Sequence, residues 1–249
     1  MEIKRKPFQG VLNILSFNRH FYIIGLGVLL LFIICHQAIG FSNALYWTFL
    51  IAFFYGLIIP LIVSAYVYDF SKYYTFHWLN DGNLDTSAKN IVNINAGFDE
   101  TSFIIKSHFP HSDLKVFDFF NPERHTEPAI IRARRVSITY PETVEISTTT
   151  IPLTDDSVDI IFLLSAAHEI RDFNERVVFL KECRRIIKGE GKVVMVEHLR
   201  DFPNFLAFTI GFTHFFSRWA WKNAFSKAGF GTISEAKFTP FMSVFTVTY

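Results

Sequence analysis

Residues 158–166 read VDIIFLLSA, an apolar run that is interrupted near its start only by Asp159. A run of this kind is typical of a strand that is buried on both faces of a parallel sheet. Residues 174–187 follow with helical periodicity, because their apolar residues fall on one side with Lys and Arg between them. The segment Lys188-Gly189-Glu190-Gly191 is expected to end that helix, and KVVMVEH at 192–198 predicts the next strand. This order predicts an α/β fold.

The same alternation extends outward from this unit. Residues 91–96 and 114–120 predict strands, with a helix-like stretch at 101–107 between them. Residues 137–140 and 144–146 are also β-prone. Residues 218–228 predict a helix that ends at Gly229, and the C-terminal residues predict a β-hairpin around Thr239-Pro240. We therefore expect a Rossmann-like, doubly wound sheet over residues 81–249, with its function at the carboxyl ends of the strands.

The composition of residues 1–80 points to a membrane. The chain has 249 residues, 30 of them Phe, and a mean hydropathy of +0.26, while residues 21–68 contain no Asp, Glu, Lys or Arg. A bilayer requires about 20 apolar residues per helix, so this stretch predicts two transmembrane helices, at about 21–41 and 44–68, after a short interfacial segment. A net charge of +1 does not favour nucleic acid, and two cysteines exclude a disulfide scaffold.

The positive charges near the two spans predict their orientation. Lys4, Arg5, Lys6 and Arg19 precede the first span and Lys72 follows the second, whereas the intervening turn has no positive charge. The positive-inside rule then predicts a multi-pass protein of the cytoplasmic (inner) membrane, with its α/β domain in the cytoplasm. Two alternatives stay open: a signal peptide cleaved near residues 38–40, and a helix pair buried in a soluble core.

Several segments of the α/β region occur in the order seen in one large family. They are IVNINAGFD at 91–99, Asp118, IPLTDDSVD at 151–159, LKECRRIIKGEG at 180–191 and AFSKAGF at 224–230. In this order they resemble the class I S-adenosylmethionine-dependent methyltransferases, of the broad type that includes the ubiquinone/menaquinone methyltransferases. The resemblance covers about residues 89–249. A narrower similarity, to membrane-attached methyltransferases of flexirubin and aryl-polyene pigment pathways, rests on NAGFDET, AHEIRD and EHLRD.

The resemblance implies S-adenosylmethionine as the cofactor. The glycine-rich turn of the family falls on residues 95–97, where only Gly97 of its glycines is present, and Asp118 matches the acid that binds the ribose hydroxyls. Asp99 departs from the pattern and would place a negative charge near the methionine carboxylate. The cofactor-binding residues implied in this way are Asn95, Ala96, Gly97, Asp118, Thr148 and Ser165.

Two similar segments, HEIRD at 168–172 and EHLRD at 197–201, follow neighbouring strands and should meet in the cleft. A histidine with a carboxylate partner suits a general base at neutral pH, so His168, Glu169 and His198 are the catalytic candidates. Two alternatives remain for this cluster, namely a metal site and a structural ion-pair network. No metal ligand is assigned from the sequence.

The aromatic-rich stretch at 202–221 lies where the family carries its substrate lid, and it predicts either an acceptor channel that faces the bilayer or a core helix. The expected function is a membrane-anchored methyltransferase acting on a lipophilic aromatic, polyene or quinone-like acceptor, with the bilayer and enzymes of the same pathway as partners. The alternatives are an inactive methyltransferase fold that acts as a scaffold, and a metal-dependent enzyme.

Overall fold

The α/β region folds around one mixed sheet of seven strands. The computed structural model describes residues 5–82 and 88–249, without the side chains of residues 80–82. The order across the sheet is β3-β2-β1-β4-β5-β7-β6. Strands β1 to β5 run parallel, and β7 is antiparallel to both of its neighbours. The strands are β1 (Asn90–Asn95), β2 (Asp113–Asp118), β3 (Val144–Glu145), β4 (Val158–Leu164), β5 (Ile187–His198), β6 (Thr232–Thr239) and β7 (Met242–Thr248).

The described α-helices fall into two groups. Three precede the sheet: α1 (Gln9–Phe17), α2 (Arg19–Ile39) and α3 (Asn43–Ala65). The others connect or follow its strands: α4 (Ser102–His108), α5 (Pro128–Val136), α6 (Phe173–Ile186), α7 (Phe202–Phe208) and α8 (Arg218–Ala228). The fold class predicted from the sequence is confirmed, with β1, β2, β4, α4, α6, α8 and the closing hairpin close to their expected positions.

Two apolar helices, α2 and α3, stand largely apart from the sheet. They are the two helices of the described chain that are long and apolar enough to cross a membrane, and the apolar window of α2 buries none of its residues. The helices contact each other through aromatic rings, with the Phe32 and Phe49 centroids 3.7 Å apart. Ser42 caps α3 by accepting a hydrogen bond from Leu45 N, so the turn between the helices is short.

The chain that leaves α3 belongs to the core of the sheet domain. A π-helical turn (Tyr66–Phe70) and two 3₁₀ segments (Tyr73–Thr75 and His77–Gly82) continue from α3. They cover one face of the sheet together with α4, and α6 and α8 cover the other. The buried apolar residues between the end of α3 and the second 3₁₀ segment are Val63, Val67, Tyr73, Phe76, Trp78 and Leu79. The expected division into 1–80 and 81–249 therefore does not separate two independent cores.

Helix α1 is fixed to the sheet domain by polar contacts. Asp69 accepts hydrogen bonds from the first backbone N–H groups of α1, Gly10 N at 2.8 Å and Val11 N at 2.9 Å. Arg5, just before the helix, forms an ion pair with Glu100 at 2.8 Å. The N-terminal segment and the sheet domain consequently lie at the same end of the α2–α3 hairpin.

Two local features differ from those expected. Residues 188–191 do not separate helix from strand, because α6 passes directly into β5 and the Lys-Gly-Glu-Gly segment is the start of that strand. Residues 137–140 form no strand. Among the other histidines, His125 is 8% exposed and accepts a hydrogen bond from Asn121 N through Nδ1.

Candidate active site

The turn after β1 has the backbone geometry that a glycine permits. Gly97 lies in the left-handed region with φ +87°. Asn95 precedes it in the strand, and its side-chain Oδ1 accepts a hydrogen bond from Gly97 N at 2.9 Å. Ala96 between them is buried. The sequence therefore placed its glycine-turn residues at the carboxyl end of β1, where a ligand of this fold would lie.

Two buried polar atoms beside this turn have no partner. Asp99 is 7% exposed, and its Oδ1 accepts hydrogen bonds from Thr101 N and Ser102 N at 2.9 Å, at the start of α4. Its other oxygen, Oδ2, and Asn95 Nδ2 are both buried without a hydrogen-bond partner. Because buried polar groups are normally paired, one acceptor and one donor here are available to a ligand.

Asp118 ends β2 and pairs in register with Asn95 of β1. Its Oδ1 accepts from Phe120 N at 2.8 Å, and its Oδ2 forms an ion pair with Arg134 of α5. Arg134 also pairs with Glu145 at 3.0 Å, and its Nη1 lies 2.6 Å from the position that a Cβ on Gly97 would take. The guanidinium thus covers both the glycine turn and the acid that the sequence assigns to the cofactor.

Two arginines of the basic run at 132–135 make contacts within the protein. Arg134 faces Asp118, as described above. Arg132 Nη1 donates to Phe17 O at 2.6 Å, which joins α5 to the end of α1.

The other two cofactor candidates follow β3 and β4. Thr148 is buried and donates to Glu175 of α6 at 2.6 Å. Ser165 comes directly after β4 with φ +52°, its N donates to Val196 O at 2.8 Å, and its hydroxyl lies 3.3 Å from that of Tyr73. Both lie at the same edge of the sheet as Gly97 and Asp118.

The His168 side chain lies between two carboxylates at the ends of β4 and β5. Glu197, 1% exposed, accepts from His168 Nδ1 at 2.7 Å and from His168 N at 3.2 Å. Glu169 Oε1 lies 3.5 Å from Nε2 of the same ring. Burial would lower the pKa of His168, but the charges and hydrogen bonds of Glu197 and Glu169 outweigh it and raise the pKa to about 10. The ring is therefore protonated at neutral pH and is not a free base.

His198 takes a different position from the one expected. Its Nδ1 lies 3.0 Å from Phe241 O and 3.2 Å from Asn204 Oδ1, so Nδ1 carries the proton. Its Nε2 then accepts from the Tyr68 hydroxyl at 2.9 Å. Burial is the main cause that lowers the pKa of His198 to about 4. This neutral ring joins the segment after α3 to the end of β5.

The two similar segments converge through their arginines on one loop. Arg171 Nη1 donates to His168 O at 3.0 Å and to His214 O at 2.7 Å. Arg200 Nε donates to Phe215 O at 2.8 Å, and its Nη2 donates to Thr213 O. The residues between α7 and α8 are thereby held over His168, and the His168 and His214 ring centroids lie 5.2 Å apart.

Comparisons with known proteins identify the fold of the α/β region. Residues 124–195 match a family model described as a methyltransferase domain. The structure resembles a candidate O-methyltransferase from Nostoc punctiforme PCC 73102, with a TM-score of 0.52 at 16% identity over 78% of this chain and 60% of that chain. The α/β region has a methyltransferase fold. A comparison with curated proteins gives no match.

Two further structures with this methyltransferase fold are similar. A protein from Pyrococcus horikoshii OT3 has a TM-score of 0.52 at 14% identity, over 72% of this chain and 89% of that chain. PigF, in a complex with SAH, has the same score and identity over 76% of this chain and 58% of its own. This chain thus spans about three fifths of the Nostoc protein and of PigF. The family match and the fold together support an enzyme of the methyltransferase class.

Three residues of this candidate site are not apparent from the sequence. Arg134 and His214 reach it from α5 and from the loop before α8, and Tyr68 reaches it from the segment after α3. Each of these residues is distant in sequence from the residue that it contacts, so no local motif could predict the contact. The arginines that HEIRD and EHLRD share were the sequence feature that could have indicated contacts with the loop that carries His214.

Proposed function

We propose that this chain is a membrane-anchored methyltransferase that uses S-adenosylmethionine to methylate a lipophilic acceptor. The donor supplies a methyl group on a sulfonium, and its transfer requires mainly that the acceptor be aligned with that carbon. The matched methyltransferase segment at 124–195 begins after Asp118, so the donor site itself is inferred from the geometry of the β1 and β2 ends.

The residues at those ends suit the parts of the donor. Asp118 is positioned to accept hydrogen bonds from ribose hydroxyls once Arg134 moves aside. Asp99 Oδ2, buried and unpartnered, suits the amino group of the methionine portion, and Asn95 Nδ2 is a donor for its carboxylate. Gly97 lets the backbone approach without a side chain. Asp99 therefore fits the donor better than the sequence alone suggests.

One contact carries the proposal of a lipophilic acceptor. The Tyr55 hydroxyl, near the middle of α3, donates to Leu206 O of α7 at 2.7 Å. If α3 spans the bilayer, ten residues between Tyr55 and Ala65 correspond to about 15 Å of helix at 1.5 Å per residue. Helix α7 then lies within the hydrocarbon depth of one leaflet, beside the span.

The exposed side chains around α7 suit that position. Ile210 is 82% exposed and Phe202 is 70% exposed, and Phe205 and Leu206 are also exposed. In water such a patch would be costly, whereas in a bilayer it is favourable. The loop that follows this patch carries His214 over His168, so an apolar acceptor could pass from the leaflet to the site. Aromatic, polyene and quinone-like molecules, including those of pigment pathways, partition into the bilayer as such an acceptor must.

The contacts of α1 with the sheet domain support an orientation for the anchor. Because α1 and the sheet domain lie at one end of the hairpin, Lys6, Arg19 and Lys72 flank the membrane on the side of the domain. The positive-inside rule then places that side in the cytoplasm, and the chain in the cytoplasmic membrane. Keeping enzyme and acceptor in one membrane raises their effective concentration without any new contact.

An environment-sensitive fluorophore on Ile210→Cys tests the membrane position of α7. The protein is reconstituted in vesicles in a Cys35→Ser background, since burial raises the pKa of the Cys183 thiol and shields it from labelling. We expect a blue-shifted emission that lipid-borne quenchers reduce. The same fluorophore on Glu190→Cys, on the far side of the sheet domain, is the control and should report water. A water-like spectrum at position 210 would contradict a bilayer route for the acceptor.

One observation favours the alternative of an inactive scaffold. Arg134 occupies the space beside Gly97 and neutralises Asp118, which is the group expected to hold the ribose. If this ion pair never opens, the domain keeps its fold but cannot bind the methyl donor. Binding of the demethylated donor, S-adenosylhomocysteine, separates the two functions, because only the enzyme binds it.

A further inference from the structure

Three potential metal ligands meet above the ends of β4 and β5. Each of His168, Glu169 and His214 offers one ligand atom, and these atoms lie within 4.8 Å of one another. The His168 Nε2 to Glu169 Oε1 distance is 3.5 Å. Two ligands bound to Zn²⁺ at 2.0–2.2 Å with tetrahedral angles are about 3.3–3.5 Å apart. The first pair already has metal-ligand spacing, and a ligand atom of the partly exposed His214 ring lies within 4.8 Å of both.

The outer contacts of these residues are those of a metal site. A metal-binding histidine usually donates its other ring N–H to a carboxylate, which fixes the ring and its tautomer. Glu197 does this for His168: it is almost fully buried, and its two oxygens accept from Nδ1 and from the backbone N–H of His168. Nε2 is thereby directed toward Glu169 and His214. The Glu127 carboxylate lies 3.8 Å from His214 Nδ1.

The Arg171 side chain fixes the backbone of both histidines of the cluster. Arg171 donates to the carbonyl oxygens of both His168 and His214, so it sets the spacing of the two imidazoles. Arg200 fixes the residues next to His214 through two more carbonyls. Two carboxylates, Glu169 and Glu197, face the His168 ring, and a metal ion at Nε2 would take the place of the proton that the ring holds without it.

We propose that His168, Glu169 and His214 bind one divalent transition-metal ion. Two imidazoles and one carboxylate are a ligand set of catalytic zinc sites and of non-haem iron(II) sites, both of which leave positions open. This metal site does not depend on the proposed function. The use of this metal ion in catalysis does rest on the proposed methyl transfer. An acceptor oxygen bound at the open position would lose its proton more readily and would face the methyl donor.

Zinc content of the purified full chain tests the site. Tag-free protein in detergent is stripped with a chelator, incubated with ZnCl₂, desalted and analysed by mass spectrometry for metals. We expect about one Zn²⁺ per chain in the wild type and in His111→Ala, an exposed histidine outside the cluster. His214→Ala and Glu169→Gln should each lower zinc affinity by about tenfold or more. With Co²⁺ in place of Zn²⁺, the wild type should show visible ligand-field absorption and both variants should lose it.

Two results would overturn the proposal. One is a wild-type protein that retains no zinc after desalting. The other is zinc content and a Co²⁺ spectrum that are the same in His214→Ala, Glu169→Gln and wild type. Binding of S-adenosylhomocysteine is measured on the same samples and serves as the folding control. Failure of zinc binding with intact cofactor binding rejects the metal site alone, and failure of cofactor binding in zinc-loaded protein rejects the proposed methyl transfer alone.

Discussion

At the scale of single residues, Arg134 controls access to Asp118. The ion pair lies at the edge of the sheet, and the Arg134 side chain is 35% exposed, so it can swing into solvent at modest cost. Any ligand that uses Asp118 must compete with this guanidinium.

Arg134→Ala should therefore bind S-adenosylhomocysteine more tightly than the wild type. Loss of a partly exposed ion pair, about 0.2–1 kcal/mol, corresponds to a gain in affinity of up to about fivefold. Isothermal titration calorimetry measures it, with Arg135→Ala, an exposed neighbour, as the matched control. Weaker binding by Arg134→Ala would mean that the guanidinium holds the ligand and does not compete with it.

Sequence motifs located the glycine turn and Asp118 because both depend on short-range spacing at strand ends. They could not show how Asp118 is paired, since Arg134 comes from a helix 16 residues further along the chain. They also predicted similar roles for His168 and His198. The structure separates the two, because Glu197 turns toward the first and Tyr68 reaches the second.

At the scale of secondary-structure elements, α1 is held by a carboxylate from another segment. Asp69 of the π-helical turn accepts from the N–H groups of Gly10 and Val11, which have no partner within the helix. It acts as an N-cap supplied from outside, and it fixes α1 against the chain that leaves α3.

Asp69→Ala should release α1 and lower the stability of the protein. Loss of an N-cap costs about 1–2 kcal/mol, which should appear as a lower unfolding temperature in detergent and faster proteolysis within residues 5–18. Asp113→Ala removes an exposed carboxylate that lies 3.9 Å from Lys115 and is the control. Equal proteolysis rates in the two variants would contradict this account of α1.

The predicted helices and strands of the sheet domain were mostly correct because their periodicity is strong. The failure at residues 188–191 has a physical reason: glycine usually ends a helix, but here Val158 of β4 pairs with Ile187 and extends β5 back to that residue. The β-prone run at 137–140 has no neighbouring strand to pair with, so propensity alone did not make it a strand.

At the scale of the whole molecule, the end of the apolar α2–α3 hairpin and the sheet domain share a core. Val63 and Val67 come from the end of α3 and the turn after it, and they pack with Ile91 and Phe162 of the sheet. The change in composition near residue 80 suggested two modules. It did not show that the apolar chain continues from the hairpin into the domain, because both a bilayer and a protein core select the same residues.

The most direct test of the central claim is calorimetric binding of S-adenosylhomocysteine to the full chain in lipid nanodiscs, with Asp118→Ala beside it. We expect micromolar binding by the wild type and at least about tenfold weaker binding by the variant, since charged hydrogen bonds to ribose contribute about 1.5–3 kcal/mol. Folded wild-type protein that does not bind, or a variant that binds equally well, would contradict a methyl-donor site at Gly97 and Asp118 and favour the scaffold.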